Sequence, residues 1–145
     1  MHDLRTSLIV VVLALAACAG TPGPGDPAYA FNVAGPYSGR FLIDDQPFDA
    51  TLQLQTSGGG RVRGAFRVVE PFEIDGRVEG VIVAQLLRLT VSYRNADGCD
   101  GRIEGILTVE RGGGTVEGPV TVTDCGDPIA GRMSFRRRDR QRETG

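Results

Sequence analysis

The side chains in this sequence that could do chemistry are few, and most of them are grouped around two cysteines. Each cysteine lies between two aspartates, as Asp97, Cys99 and Asp100, and as Asp124, Cys125 and Asp127. The only histidine is His2 and there is no lysine. The usual general base, the imidazole metal ligand and the Schiff-base amine are therefore missing from the rest of the chain. We predict that the protein is not an enzyme.

The four aspartates offer oxygen atoms that could bind a cation or a basic partner. Neither pair has the Asp-x-Asp-x-Asp-Gly spacing of a calcium loop. A carboxylate pair for glycoside hydrolysis would need a substrate cleft, which nothing in the sequence indicates. We predict no metal and no cofactor. Two interpretations stay open for the aspartates: a partner-binding group, or loops that are simply solvated.

The N-terminus has the features of an export signal. Residues 8–17 are apolar, and a run of this length is too short to span a bilayer, which needs about 20 residues. The run ends in Leu-Ala-Ala-Cys at 15–18, which resembles the lipobox of bacterial lipoproteins at all four positions. The resemblance implies cleavage before Cys18 and its modification with a diacylglyceryl group and a fatty acid such as palmitate. Two or more acyl chains anchor a protein stably to a membrane.

The residue after the cysteine is Ala19 rather than aspartate, which by the same resemblance favours the outer membrane. The domain would then face the periplasm or the exterior. An ordinary secreted protein with an incidental cysteine is the alternative. The predicted organisation is a signal peptide at 1–17, a Pro/Gly-rich tether at 18–36, a β-domain at 37–136 and an arginine-rich tail at 137–145. Phe31 and Val33 are expected to dock on the domain.

The β-domain is predicted from apolar residues that recur at every second position. Turn-forming residues divide it into eight strands, at 37–44, 48–56, 60–69, 76–84, 86–94, 101–110, 114–123 and 128–136. One face of every strand carries no charged side chain and is predicted to point inward. In the fourth strand this face ends with Ala84. Six strands carry a hydrophobe-x-Gly motif on that face, such as Val78-Glu79-Gly80. An inward glycine allows a strand to coil tightly in a small barrel.

Eight strands with short links predict an all-β fold, an antiparallel up-and-down barrel. The pattern is similar to the calycin architecture of lipocalins and avidins, and Gly35-Pro36-Tyr37 lies where lipocalins have Gly-x-Trp. A two-sheet sandwich is the alternative. Pro119 lies within the seventh strand and cannot donate to a ladder. It predicts either a bulge or an opening of the barrel there.

The two remaining cysteines test this topology. An exported pair is expected to form one disulfide. Cys99 lies in the link between the fifth and sixth strands, and Cys125 in the link between the seventh and eighth. In an up-and-down meander these links lie at the same end, so the pairing and the topology support each other.

Two functions are compatible with these features, both for a lipid-anchored envelope protein that does no catalysis. The first is a binding or structural barrel. Its interior is either filled with its own side chains or holds a small apolar ligand, in which case Tyr37, Phe66, Tyr93, Met133 and Phe135 are the lining residues. The second is an inhibitor of a basic lysozyme-like or protease-like enzyme, which it binds through Asp97, Asp100, Asp124 and Asp127. The net charge of −2 gives no reason to expect nucleic-acid binding.

Overall fold

The chain folds into eight antiparallel strands that close into one barrel. The computed structural model describes residues 20–139. Its strands are β1 (Gly35–Ile43), β2 (Gln46–Ser57), β3 (Arg61–Val68), β4 (Ile74–Val83), β5 (Leu86–Arg94), β6 (Asp100–Val109), β7 (Thr115–Asp124) and β8 (Ile129–Arg137). Each strand pairs with the next, and β1 also pairs with β8, so the sheet closes on itself. The predicted up-and-down barrel is confirmed, and closure excludes the alternative two-sheet sandwich.

The interior of the barrel is filled with apolar side chains from every strand. Apart from the hydroxyl-bearing Tyr37 and Tyr93, no residue with a polar or charged side chain between 20 and 139 is buried. The rings of Phe41 and Phe66 meet edge to face at 5.4 Å between centroids, and Phe135 packs on Phe66 at 6.3 Å. One predicted inward residue is wrong. Ala84 lies in the two-residue turn between β4 and β5, where it is exposed and has a φ of 52°.

The glycines of the hydrophobe-x-Gly motif lie where adjacent strands approach each other closely. A Cβ atom at each of them would come within 2.9 Å of a carbonyl oxygen on the adjacent strand. The six positions are Gly39, Gly64, Gly80, Gly105, Gly118 and Gly131. The missing side chain therefore makes room for neighbouring backbone, as strong coiling of the sheet requires.

Pro119 does not have the effect predicted for it. The registers on both sides of the proline agree, since Gly105 pairs with Val120 and Thr108 with Glu117. The ladder between β6 and β7 lacks only the pairs in between, where the proline has no N–H to donate. There is neither a bulge nor an opening at Pro119, because β7 still pairs fully with β8 on its other side.

The links between strands define two ends of the barrel. The acidic end consists of the links β1–β2 (44–45), β3–β4 (69–73), β5–β6 (95–99) and β7–β8 (125–128). The opposite end has the links β2–β3 (58–60), β4–β5 (84–85) and β6–β7 (110–114), and the chain both enters and leaves the barrel there. We call it the plugged end, because the segment before β1 covers it.

The plug is formed by residues 24–34, which belong to the predicted tether. The Tyr29 hydroxyl donates to the Ala84 carbonyl over 3.3 Å, and the Gly112 amide donates to the Ala30 carbonyl over 2.6 Å. Val33 is completely buried in the core and Phe31 packs against it. Both residues dock as expected, and the folded unit therefore begins well before the predicted boundary at residue 37.

Arg137, near the C-terminal end of the described chain, contacts both the plug and the β6–β7 link at the plugged end. We predicted it as the first residue of the tail, but it is the last residue of β8. Its guanidinium lies over the Tyr37 ring at 5.4 Å and donates to the Asn32 and Gly112 carbonyls over 2.5 and 2.9 Å. The Tyr37 hydroxyl accepts from the same guanidinium and donates to the Gly113 carbonyl over 2.7 Å. Arg137 thus joins β8 to the plug, and the Tyr37–Arg137 pair joins β1 and β8 to the β6–β7 link.

Candidate functional site

The predicted disulfide is present and joins two links of the acidic end. Cys99 and Cys125 are bonded, with their Cα atoms 5.6 Å apart and a separation of 26 positions in the sequence. A loop of about 25 residues closed in this way contributes about 3 kcal/mol of stability by chain entropy. The bond also brings the two aspartate pairs together, since all four aspartates lie within two residues of a bonded cysteine.

Asn95 organises the link around the disulfide. Its backbone amide donates to the Cys99 carbonyl over 3.0 Å, and its side-chain oxygen accepts from the Cys99 amide over 2.9 Å. Its side-chain nitrogen donates to the Asp124 carboxylate over 2.5 Å and to the Cys125 sulfur over 3.2 Å. One amide side chain therefore connects both cysteine-bearing links. We did not predict this role of Asn95, although an asparagine at the start of a turn is a recognisable signal.

Asp124 is the least exposed of the four aspartates, and its carboxylate is held by the barrel. It accepts the hydrogen bond from Asn95 and a second one from the Tyr93 hydroxyl over 3.1 Å. Burial raises the pKa of the Tyr93 phenol above its ordinary value, and the Asp124 charge and hydrogen bond raise that pKa further. The pair is thus a neutral phenol bound to a carboxylate, which fixes the end of β7 to β5.

The other three aspartates are exposed to solvent. Asp100 forms a 3.3 Å ion pair with Arg94, in which both side chains are more than two-thirds exposed, so its contribution to stability is small. Asp97 and Asp127 lie in the links themselves. The structure thus separates the predicted partner-binding group into one carboxylate that holds the loops and three that face solvent.

The acidic end has a single sign of charge in its links. Together the four links contain six carboxylates and no basic residue: Asp44, Asp45, Glu70, Glu73, Asp97 and Asp127. Asp44 and Asp45 form the whole β1–β2 link with φ angles of 48° and 62°, which correspond to a type I′ hairpin turn. This tight turn holds both carboxylates at the tip of the hairpin.

A broad open groove runs along the outer wall beside the acidic end. Its volume is about 1160 Å³, and it crosses β1, β2 and the first part of the β3–β4 link. Phe72 in that link packs on Phe48 at 4.9 Å between ring centroids, so the link leans on the start of β2. The groove is bordered by charged side chains of both signs: Arg40, Asp49, Arg67 and Glu70.

The five predicted ligand-lining residues all belong to the packed core. Tyr37, Phe66 and Met133 are completely buried, Phe135 nearly so, and Tyr93 is 7 % exposed at the acidic end. None of the five lines the outer groove. Burial raises the pKa of the Tyr37 phenol, although the positive charge and hydrogen bond of Arg137 partly oppose that rise. Tyr37 and Arg137 therefore act as a structural pair at the plugged end.

Comparisons of this chain with protein-family models, with curated proteins and with solved structures found no match. The eight-stranded up-and-down barrel is the architecture of lipocalin-like folds. Between residues 20 and 139, no three acidic, cysteine or histidine side chains come together in a way that could hold a metal ion. The same residues contain no helix with the length and apolar character needed to cross a bilayer. Cys18 lies outside the described residues.

Proposed function

We propose that this protein is a non-enzymatic bacterial envelope lipoprotein, anchored through acyl chains on Cys18, whose acidic end binds a basic partner protein. The observation that carries the proposal is the disulfide at that end. It holds two aspartate-bearing links together, where solvated loops alone would be free to separate. The Asn95 network supports the same interpretation, because it fixes both links before any partner arrives.

Charge supports a basic partner rather than an acidic one. Six carboxylates in four neighbouring links create a negative field that raises the association rate of a positively charged protein. Many lysozymes and some proteases are basic enzymes that act in the periplasm or outside the cell. In its most specific form, the proposal is that this protein inhibits such an enzyme. The outer groove lies beside the same end and offers apolar and charged surface to a partner segment.

Packing of the interior supports a protein partner over a small apolar ligand. A barrel that carries a ligand needs a cavity of several hundred cubic ångströms inside. The residues predicted to line such a cavity are instead in contact with one another or buried in the same core cluster. We therefore place recognition on the outside of the barrel.

The binding proposal is tested by removing two exposed carboxylates without touching Asp124. Binding of a basic lysozyme and of a basic serine protease is measured by calorimetry for the wild type and for Asp97→Asn/Asp127→Asn. We expect the double variant to bind one of them roughly three- to ten-fold more weakly, as the loss of two exposed charge pairs predicts. The wild-type affinity should also fall with added salt.

A control variant, Glu79→Gln/Glu117→Gln, changes the net charge by the same amount on the outer wall. We expect it to bind as the wild type does. An equal loss of affinity in both variants would show that only net charge matters. An unchanged affinity in Asp97→Asn/Asp127→Asn would contradict the proposal.

The anchor is tested separately, with labelled palmitate in a Gram-negative host. We expect the wild type to incorporate label and to fractionate with the outer membrane, and Cys18→Ser to do neither. Unlabelled wild-type protein would leave the secreted alternative standing.

A further inference from the structure

Four apolar side chains are exposed together on the outer wall next to the plugged end. Val83 is 67 % exposed, Ile106 50 %, Leu86 47 % and Val81 43 %. Val83 and Leu86 are cross-strand partners on β4 and β5, and Val81 and Ile106 lie one row further from the end. We call these four residues the apolar face. Exposed apolar residues that cluster in this way mark interaction surfaces more often than isolated ones do.

Arginines alternate with the apolar face across neighbouring strands. Arg61 on β3 is the cross-strand partner of Val81, and Val81 also pairs with Arg88 on β5. Arg88 pairs in turn with Ile106 on β6. This row around the barrel therefore reads Arg, Val, Arg, Ile, with no carboxylate among the four. Apolar side chains mixed with arginines suit the boundary between lipid headgroups and acyl chains.

The plug brings the N-terminal end of the described chain to this side of the barrel. A Cβ atom at Gly60 would lie 2.5 Å from the Ile82 carbonyl oxygen and 2.8 Å from the Pro24 Cβ atom. Pro24 thus sits beside the end of β4, where Val83 follows Ile82. Cys18 precedes Pro24 by six residues, which span at most about 20 Å even when fully extended.

We propose that the apolar face lies in the interfacial region of the bilayer to which Cys18 is anchored, with Arg61 and Arg88 against anionic headgroups. The inference rests on the proposed function, because the acyl anchor supplies the membrane. Three observations select lipid as the occupant: the short reach from Cys18, the position of Pro24 beside β4, and the arginines within the patch. The acidic end then points away from the anionic surface, toward a soluble partner.

The chain contains no tryptophan, so a single introduced tryptophan reports its own environment without background. The full chain carrying Val83→Trp is produced in a host that acylates lipoproteins. It is then reconstituted into vesicles of phosphatidylcholine and phosphatidylglycerol in equal amounts, with or without bromine on the acyl chains. The matched control is Val69→Trp, since Val69 is 65 % exposed but lies in a link of the acidic end. Mass spectrometry of each preparation reports the acyl groups on Cys18.

We expect Val83→Trp to emit at shorter wavelength in vesicles and to lose roughly half of its intensity with brominated lipid, at the depth an interfacial apolar face reaches. Val69→Trp should show neither change. If acylated Val83→Trp is not quenched by brominated lipid, the inference is wrong although the anchor stands. A blue shift that depends on protein concentration and not on bromine would assign the face to a second copy and would also overturn it. If Cys18 carries no acyl group, the proposed anchor fails and this inference fails with it.

Discussion

Asp124 differs from the neighbouring aspartates in the hydrogen bonds that its carboxylate accepts. Its carboxylate accepts from Tyr93 and Asn95, so replacing it would loosen the disulfide-bearing links as well as remove a charge. Asp97 and Asp127 lie in the links and are exposed. A test of recognition at the acidic end is therefore clean at Asp97 and Asp127, and ambiguous at Asp124.

The raised pKa of the Tyr93 phenol affects the stability of the protein at alkaline pH. Its folded pKa lies above the ordinary value of about 10, so the folded state keeps a proton that the unfolded chain loses. Stability from this group is fully present below about pH 10 and is lost as the pH rises further. We expect Tyr93→Phe to lose less stability than the wild type between about pH 9.5 and about pH 11.5, measured as the urea midpoint at each pH.

At neutral pH the same variant should be less stable by about 1 kcal/mol, because the hydrogen bond to Asp124 is gone. Tyr37, whose pKa is also raised, remains in both proteins, so the alkaline loss should shrink rather than disappear. Equal alkaline losses in the wild type and in Tyr93→Phe would contradict the account of this pair.

The strands, as elements, close into a barrel because glycine lets each backbone pass close to its neighbour. Gly64 on β3 faces the Gln53 carbonyl of β2, and Gly39 on β1 faces the Ser134 carbonyl of β8. The second contact lies at the pairing that closes the sheet. Backbone carbonyls in a ladder cannot move aside as a flexible side chain can, so a methyl group at these positions has no low-cost way to fit.

We expect Gly64→Ala to lower the free energy of unfolding by about 2 kcal/mol or more, as overpacking of a barrel wall predicts. Gly58→Ala is the matched control, because no atom lies within 4 Å of a Cβ at Gly58. It should stay within about 0.5 kcal/mol of the wild type. Urea unfolding of both variants decides the point. Equal stability of the two would mean that β3 can shift to accept the methyl group.

The whole molecule has two different ends and a filled middle. One end carries carboxylates and the disulfide, and the other is covered by the plug and held by Arg137. The core between them joins aromatic and aliphatic side chains from all eight strands. Recognition is thus expected at the ends and on the outer wall, while the interior gives rigidity.

Because the interior is filled, we expect the protein purified from a host that acylates lipoproteins to contain no small apolar ligand. Native mass spectrometry should give the mass of the chain, together with the acyl groups of the proposed anchor, and no retained small apolar molecule. Adding a medium-chain fatty acid should leave the thermal unfolding midpoint unchanged, since only a ligand that binds the folded state raises it. A fatty acid retained at one per chain would instead support the ligand-carrying alternative and would place Phe66 and Met133 at its site.

Much of the fold could be predicted from the sequence because its determinants are local. Alternation with period two marked each strand to within two residues, and short links forced neighbouring strands to be antiparallel. That topology put Cys99 and Cys125 at one end and made their pairing predictable. The inward glycines were recognisable too, since six strands repeat the same motif.

Tertiary structure decided the features that depend on residues far apart in the chain. Closure by β1 and β8, the plug over Tyr37, and the contact of Arg137 with Asn32 across 105 positions follow from burial and hydrogen bonding that no local pattern encodes. The effect of Pro119 could not be predicted from its own strand, because the pairing of β7 with β6 and β8 keeps the same register despite one missing hydrogen-bond donor. Whether the interior is hollow is likewise a matter of how side chains from eight strands fill a common volume. Except at Ala84, which lies in a turn, the sequence by itself determined which residues face inward. Packing alone decided how much space they leave.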